Sequence, residues 1–255
     1  MELTVLPPPT HGLRLWRVPL DQDVAARRHA WTLLSPDEQA RAGCFALAED
    51  RHRYTVARAA LRTVLGRACR VHPRALRLAT SRAGRPSLEP RDGPGTRPLD
   101  FNLSHSGDIA LIALWRGAGR VGVDVEHGSA LVDYVAVARS VFPAVEADRV
   151  AAARGEDRAD QFLRLWTAKE AYLKARGVGI ARLRDVVVRP GTVRLGTDPR
   201  STGRLWPLDV AAGYVAAVVL CPGTRAAGHR PATSKHTRAM EGGRWTTLNC
   251  FDRYA

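Results

Sequence analysis

Two long helical runs constrain this 255-residue chain most. Residues 49–69 carry Tyr54, Ala57, Leu61, Val64, Leu65 and Ala68 along one helix face, and residues 157–176 repeat the pattern with Phe162, Leu165, Trp166, Lys169 and Leu173. Strand-sized apolar runs lie around each. The spacing predicts strands over 13–18, 76–79, 101–103, 109–115 and 120–126, then 186–189, 204–208 and 214–220. Each half of the chain therefore has one long helix among strands. The fold class expected is α+β, built as two similar halves that meet near residues 115–120. Residues 1–117 form the first half, 118–222 the second, and 223–255 a tail expected to be disordered.

Shorter signals fill in the halves. Residues 24–34 are expected to be helical. Ser35-Pro36-Asp37-Glu38 is a capping box that should start a short helix ending near Ala42. Gly84-Arg85-Pro86 belongs to a turn, and 90–98 is a Gly/Pro-rich loop. The segment 109–126 is expected to form a strand-turn-strand hairpin. Residues 134–141 and 145–153 are expected to be helices, and Gly177 a left-handed cap after the second long helix. Arg51, Arg58 and Arg62 fall on the far side of the first long helix, a face expected to be mostly solvated.

Composition narrows the function classes. No apolar run reaches the ~18 residues needed to span a bilayer. The first nine residues lack the basic and apolar regions of a secretory leader. Four cysteines without a CxxC pair fit a reducing, cytoplasmic setting. The net charge is +14, of which the tail carries +4. A positive chain suits any polyanion, and aromatics at 6% leave few platforms for stacking nucleic acid bases. The cations are 36 arginines and only three lysines, Lys169, Lys174 and Lys235. In so arginine-rich a chain a lysine is a rare choice, and two of the three lie five residues apart.

Three segments carry candidate chemistry. In Val121-Gly122-Val123-Asp124-Val125-Glu126 the valines share one strand face, and Asp124 and Glu126 share the other with Gly122, which leaves room for a ligand. Two carboxylates at that spacing repel unless a cation sits between them. A hard divalent ion suits them, and a solvated acidic face on an edge strand is the alternative. In Trp166-Thr167-Ala168-Lys169-Glu170-Ala171-Tyr172-Leu173-Lys174, Glu170 and Lys174 stack one helical turn apart. They form either an ordinary surface pair or a carboxylate with a compact cation for a phosphate oxygen. Lys169 faces away from that pair and is expected to be structural, with arginine tolerated in its place. In Phe101-Asn102-Leu103-Ser104-His105-Ser106-Gly107-Asp108 a polar Ser-His-Ser-Gly run follows a short strand, and its hydroxyls and imidazole suit either a phosphate-contacting turn or a plain one.

Taken in order, these segments resemble the Sfp-type 4'-phosphopantetheinyl transferase family. Val121-Gly122-Val123-Asp124 and the nine residues from Trp166 to Lys174 fill every defined position of that family's two strongest motifs. Weaker similarity runs from about Ser35 to Val188 and excludes the tail. The resemblance implies a pseudodimer of two α+β halves in one monomer, with the active site in the cleft between them. The implied activity is transfer of the 4'-phosphopantetheine arm of coenzyme A to a serine of an apo acyl or peptidyl carrier protein, releasing adenosine 3',5'-bisphosphate. Asp124, Glu126 and Glu170 would hold Mg²⁺. Lys174 would offset charge on the pyrophosphate, and Glu170 would help deprotonate the serine. Ser104 and His105 would contact coenzyme A phosphate and adenine groups, with Gly84, Arg85 and Pro86 lining the adenine pocket and Arg41 and Arg53 on phosphates. The family often has lysine where Arg41 and Arg85 stand here, and other basic positions near Glu38 are not basic in this chain. Acidic carrier proteins of polyketide or nonribosomal peptide synthesis are the expected partners. A Mg²⁺-dependent nuclease and an arginine-rich nucleic-acid-binding protein are the rival readings. Neither a membrane nor a specific nucleic acid is an expected partner, and removal of the tail is expected to leave activity intact.

Overall fold

A computed structural model describes residues 2–81, 84–89, 99–128 and 132–223. The loop expected at 90–98 and, beyond Gly223, the tail lie outside the described residues.

The first half runs β1 (Thr4–Leu6), β2 (Leu13–Pro19), α1 (Val24–Leu33), α2 (Pro36–Gly43), α3 (Ala48–Cys69), β3 (Leu78–Thr80), β4 (Pro86–Leu88), β5 (Leu99–Ser106) and β6 (Ile109–Arg116). The second runs β7 (Arg120–His127), α4 (Tyr134–Val141), α5 (Ala144–Ala152), α6 (Gly155–Arg176), β8 (Val186–Arg189), β9 (Thr192–Leu195), β10 (Gly203–Leu208) and β11 (Tyr214–Cys221). The strand orders are β1-β2-β6-β5 and β7-β11-β10-β9-β8, and all pairs are antiparallel. Each half thus passes from a strand through two short helices to a 22-residue helix and then to paired strands.

Burial explains the layering. Strands β2, β5 and β6 turn Val18, Phe101, Ala110, Ile112 and Leu114 toward Val56, Ala60, Leu61 and Leu65 of α3. On the other sheet, Ala217 and Val219 pack with Phe162, Trp166 and Leu173 of α6. The remaining sheet faces meet each other through Leu13, Leu15, Leu111 and Ala113 against Val121, Val123, Val125 and Val218. The alternating valines of β7 therefore point into a core, as the period of two requires. Helix ends follow their local signals. Ser35 Oγ accepts from the Glu38 amide and Glu38 accepts from the Ser35 amide, which closes the capping box. Gly177 at φ 66° ends α6, with Val178 N–H donating to the Leu173 carbonyl.

Several expectations change. β6 and β7 do not form a hairpin: they lie in different sheets, and the short link between them carries the chain from one to the other. β5 extends to Ser106, so Ser104 and His105 stand on a strand, and the turn is only Gly107-Asp108. Gly122 leaves no room for a ligand. A Cβ there would lie 1.9 Å from the Ala171 carbonyl oxygen, so glycine is what lets α6 sit directly on β7. Arg62 is not on a solvated face: it is 2% exposed, donates to Glu38 and to the Pro73 and Leu76 carbonyls, and is covered by α2.

Lys169 is structural, held inside the protein away from the candidate site. Its ammonium is fully buried, pairs with Glu146 at 2.6 Å, donates to the Leu183 and Val186 carbonyls and lies 4.9 Å from the centre of the Phe142 ring. Two carbonyls and a carboxylate surround a compact ammonium, a different shape from the planar fork of a guanidinium. Lys169→Met should leave Glu146 as an uncompensated buried charge and cost about 3–5 kcal/mol of stability, measurable by urea denaturation.

Candidate active site

The site forms where β5, β7 and α6 come together. Alternation along β7 turns Asp124 and Glu126 toward α6, where they are 1% and 8% exposed. Glu170, at 6% exposure, and Lys174 come from the last two turns of α6. Lys174 Nζ lies 2.6 Å from Asp124 Oδ1 and donates to Ser104 Oγ at 3.0 Å, while Ser104 Oγ donates to Asp124 Oδ1 at 2.8 Å. Ser106 Oγ donates to Glu126 Oε2 at 2.9 Å. The second Asp124 oxygen, Oδ2, is buried without a hydrogen-bond partner.

Burial and crowding shift these groups strongly. Burial raises the Asp124 carboxyl above its ordinary value, against the pull of Lys174. Burial and then the neighbouring Asp124 push Glu126 up to about 9. Burial works against the Lys174 charge, but Asp124 and Glu170 outweigh it and hold the ammonium above its ordinary range. Burial, then Lys174 and Arg53, bring His105 down to about 4, so its imidazole is neutral near pH 7. A base lowered on folding stabilises the fold above its unfolded value of 6.5, and that contribution is lost as pH falls toward 4. Melting temperatures of His105→Gln and the unaltered chain should therefore diverge between pH 6.5 and pH 4, with the variant falling less.

The surrounding cavity has a volume of about 700 Å³. Its lining includes Arg41, Gly84, Arg85, Pro86, Ser104, His105, Asp124, Glu126, Glu170 and Lys174. Residues 120–219 match the family described as the 4'-phosphopantetheinyl transferase superfamily, and residues 19–115 match the N-terminal family of 4'-phosphopantetheinyl transferase. The chain is 37% identical over 186 residues to the 4'-phosphopantetheinyl transferase HetI of Nostoc sp., an alignment covering 73% of this chain and 76% of that protein. The chain belongs to the 4'-phosphopantetheinyl transferase superfamily. The transferase is also 26% identical over 163 residues to 4'-phosphopantetheinyl transferase Sfp of Bacillus subtilis, across 64% of this chain and 68% of the relative. The human L-aminoadipate-semialdehyde dehydrogenase-phosphopantetheinyl transferase is 27% identical over 164 residues, 60% of this chain and 52% of its own.

Ten of the eleven residues singled out from the sequence line one cavity in the transferase. Arg53 does not. It lies beside the Gly107-Asp108 turn, paired with Asp108 at 2.8 Å and with Glu49 at 2.7 Å. Arg85 reaches the cavity, but its guanidinium is bound by the protein: to Asp100 at 2.6 Å, to the Phe101 and Val121 carbonyls and to the Lys174 carbonyl. Sequence reasoning missed the cluster of Glu38 with Arg58 and Arg62 on the cavity wall. The four-residue spacing of the arginines was visible, but the partner that turns them inward comes from another helix. It also missed Asn102 and the stretch from Gly177 to Ala181, which line the cavity as well. Among the described residues, no three His, Cys, Asp or Glu side chains are arranged as a metal-holding group, and Lys174 supplies the positive charge beside Asp124. Glu170 and Lys174 stand on a helix, unlike the strand-borne Glu-x-Lys of many Mg²⁺ nucleases. No described helix is long and apolar enough to cross a membrane.

Proposed function

We propose that the transferase moves the 4'-phosphopantetheine arm of coenzyme A onto a serine of an apo acyl or peptidyl carrier protein in a Mg²⁺-dependent reaction. Coenzyme A would occupy the cleft between two similar halves, residues 1–117 and 118–222. The shared succession of elements and the two separate family matches support that division. The observation that carries the reading is the convergence of Asp124, Glu126, Glu170 and Lys174 on one cavity with Ser104 and His105.

The donor chemistry suits a hard divalent cation, although the three carboxylates are not gathered as a metal-holding group. Three carboxylates supply oxygen donors, Asp124 Oδ2 has no hydrogen-bond partner, and Glu126 is disfavoured as an anion beside Asp124 until positive charge arrives. Asp124, Glu126 and Glu170 would hold the ion; when bound, it supplies Lewis-acid stabilisation to the pyrophosphate. Lys174 faces the charge that develops as the bond from phosphorus to the adenosine bisphosphate oxygen breaks. Glu170 takes the proton from the carrier serine as its oxygen bonds to phosphorus, directly or through water. His105, neutral near pH 7, donates its one ring N–H to a phosphate oxygen. The chain acts as a monomer in the cytoplasm, and its positive charge favours acidic carrier proteins.

Incubation with an apo carrier protein, coenzyme A and Mg²⁺ should add one phosphopantetheine to the carrier mass. Absence of that gain across several acyl and peptidyl carriers would overturn the reading.

A further inference from the structure

β5 and β7 are each the edge strand of their own sheet, and they run side by side without a backbone ladder between them. Edge strands expose unpaired N–H and C=O groups, which must find partners when they are buried. Here side chains from alternate residues of β5 supply them. Asp100 Oδ2 accepts from the Val121 amide at 2.7 Å, and Asn102 Oδ1 accepts from the Val123 amide at 2.9 Å. Ser106 Oγ accepts from the His127 amide at 3.1 Å. Arg85 completes the first rung. It pairs with Asp100 and donates to the Val121 carbonyl at 3.0 Å, so the Asp100–Arg85 pair exchanges two bonds with Val121, as a neighbouring strand would.

The same row of side chains reaches the site. Ser104 and Ser106, the next two alternate residues, bond the carboxylates of Asp124 and Glu126. Arg85 also donates to the carbonyl of Lys174, so one guanidinium joins β5, β7 and the end of α6. We propose that Asp100, Asn102 and Arg85 are positioning residues that fix the height of β7 and the end of α6 against β5, and so bring Asp124, Glu126 and Lys174 to Ser104 and His105. The proposal rests on the reading of those residues as the transfer site. It gives the Arg85 side chain a task other than contact with adenine. A shift of about 1 Å at a reacting centre costs roughly 10²-fold in rate, which sets the scale expected.

The test is steady-state transfer to an apo acyl carrier protein, with coenzyme A varied, for Asp100→Ala, Asn102→Ala and Asp100→Asn. Melting temperature and amide exchange at Val121 and Val123 are measured alongside. Asp100→Ala should lower kcat roughly 10–100-fold while KM for coenzyme A stays within about threefold. Asn102→Ala should do the same. Val121 should exchange faster in the first variant and Val123 in the second. Asp100→Asn keeps an acceptor for the Val121 amide and should recover much of kcat. If Asp100→Ala fails to fold, Asn102→Ala and Asp100→Asn carry the comparison. A rise in KM with kcat held would make these residues coenzyme A contacts and overturn the proposal. Unchanged kcat despite faster exchange, or unchanged exchange, would overturn it too. Asp124→Asn is run in parallel: full activity there would sink the site reading itself, whatever the seam variants do.

Discussion

Asp124→Asn should lower kcat for phosphopantetheine transfer by roughly 10³-fold or more, with the fold intact. The substitution preserves shape and removes charge. Asp124 is 1% exposed and holds the Lys174 ammonium at 2.6 Å while accepting from Ser104. An amide keeps an oxygen for Ser104 but offers a much weaker partner to Lys174 and to a divalent ion. Both the cation proposed to face the pyrophosphate and the donor set proposed for Mg²⁺ would lose their central member. Single-turnover transfer followed by the mass of the carrier measures the loss, and a melting curve checks the fold. A rate within tenfold of the unaltered chain would show that this carboxylate is not needed.

Gly122→Ala should cause the largest loss of stability among the single-methyl changes considered. Its Cβ would lie 1.9 Å from the Ala171 carbonyl oxygen and 2.6 Å from the Ala175 nitrogen. Both atoms belong to the backbone of α6, so no side chain can swing aside. The helix must lift from β7 and carry Glu170 and Lys174 with it. Overpacking of this kind costs about 3 kcal/mol or more where the obstacle is rigid. Transfer should fall with stability even at temperatures where the variant remains folded. Gly43→Ala is the control, because a Cβ there meets nothing within 4 Å. It should stay within about 0.5 kcal/mol of the unaltered chain in urea denaturation.

The long helices were legible because helical periodicity is a local signal. Residues 49–69 and 157–176 correspond to Ala48–Cys69 and Gly155–Arg176, and Gly177 ends the second as its lack of a side chain allows. β5 is longer than the strand expected at 101–103 because its polar residues alternate for a reason that sequence does not display. Asn102, Ser104 and Ser106 face another strand and the site, whereas the usual partner of a polar strand face is water. The hairpin expected over 109–126 failed because closeness in sequence does not decide which strands pair. β6 pairs with β2 and β5, and β7 pairs with β11.

The candidate site was legible where residue type and face sufficed. Asp124 with Glu126 on a strand and Glu170 with Lys174 on a helix converge because Gly122 lets the two elements touch. It was not legible where a partner lies far away along the chain. Arg62 resembles a surface cation until Glu38, 24 residues away, is placed beside it, and the protein-bound guanidinium of Arg85 shows only when the Lys174 carbonyl, 89 residues away, is placed beside it. Lysine scarcity pointed to both Lys169 and Lys174, and the two differ in burial: one is fully enclosed by protein acceptors, and the other keeps a side chain 32% exposed at the cavity.

The most direct measurement is the rate of carrier mass gain with coenzyme A as Mg²⁺ is varied. Assignment of Asp124, Glu126 and Glu170 as its ligands predicts no transfer in excess chelator, full recovery when Mg²⁺ is restored, and no recovery for Asp124→Asn at the same concentration. Transfer at an undiminished rate in excess chelator would contradict it.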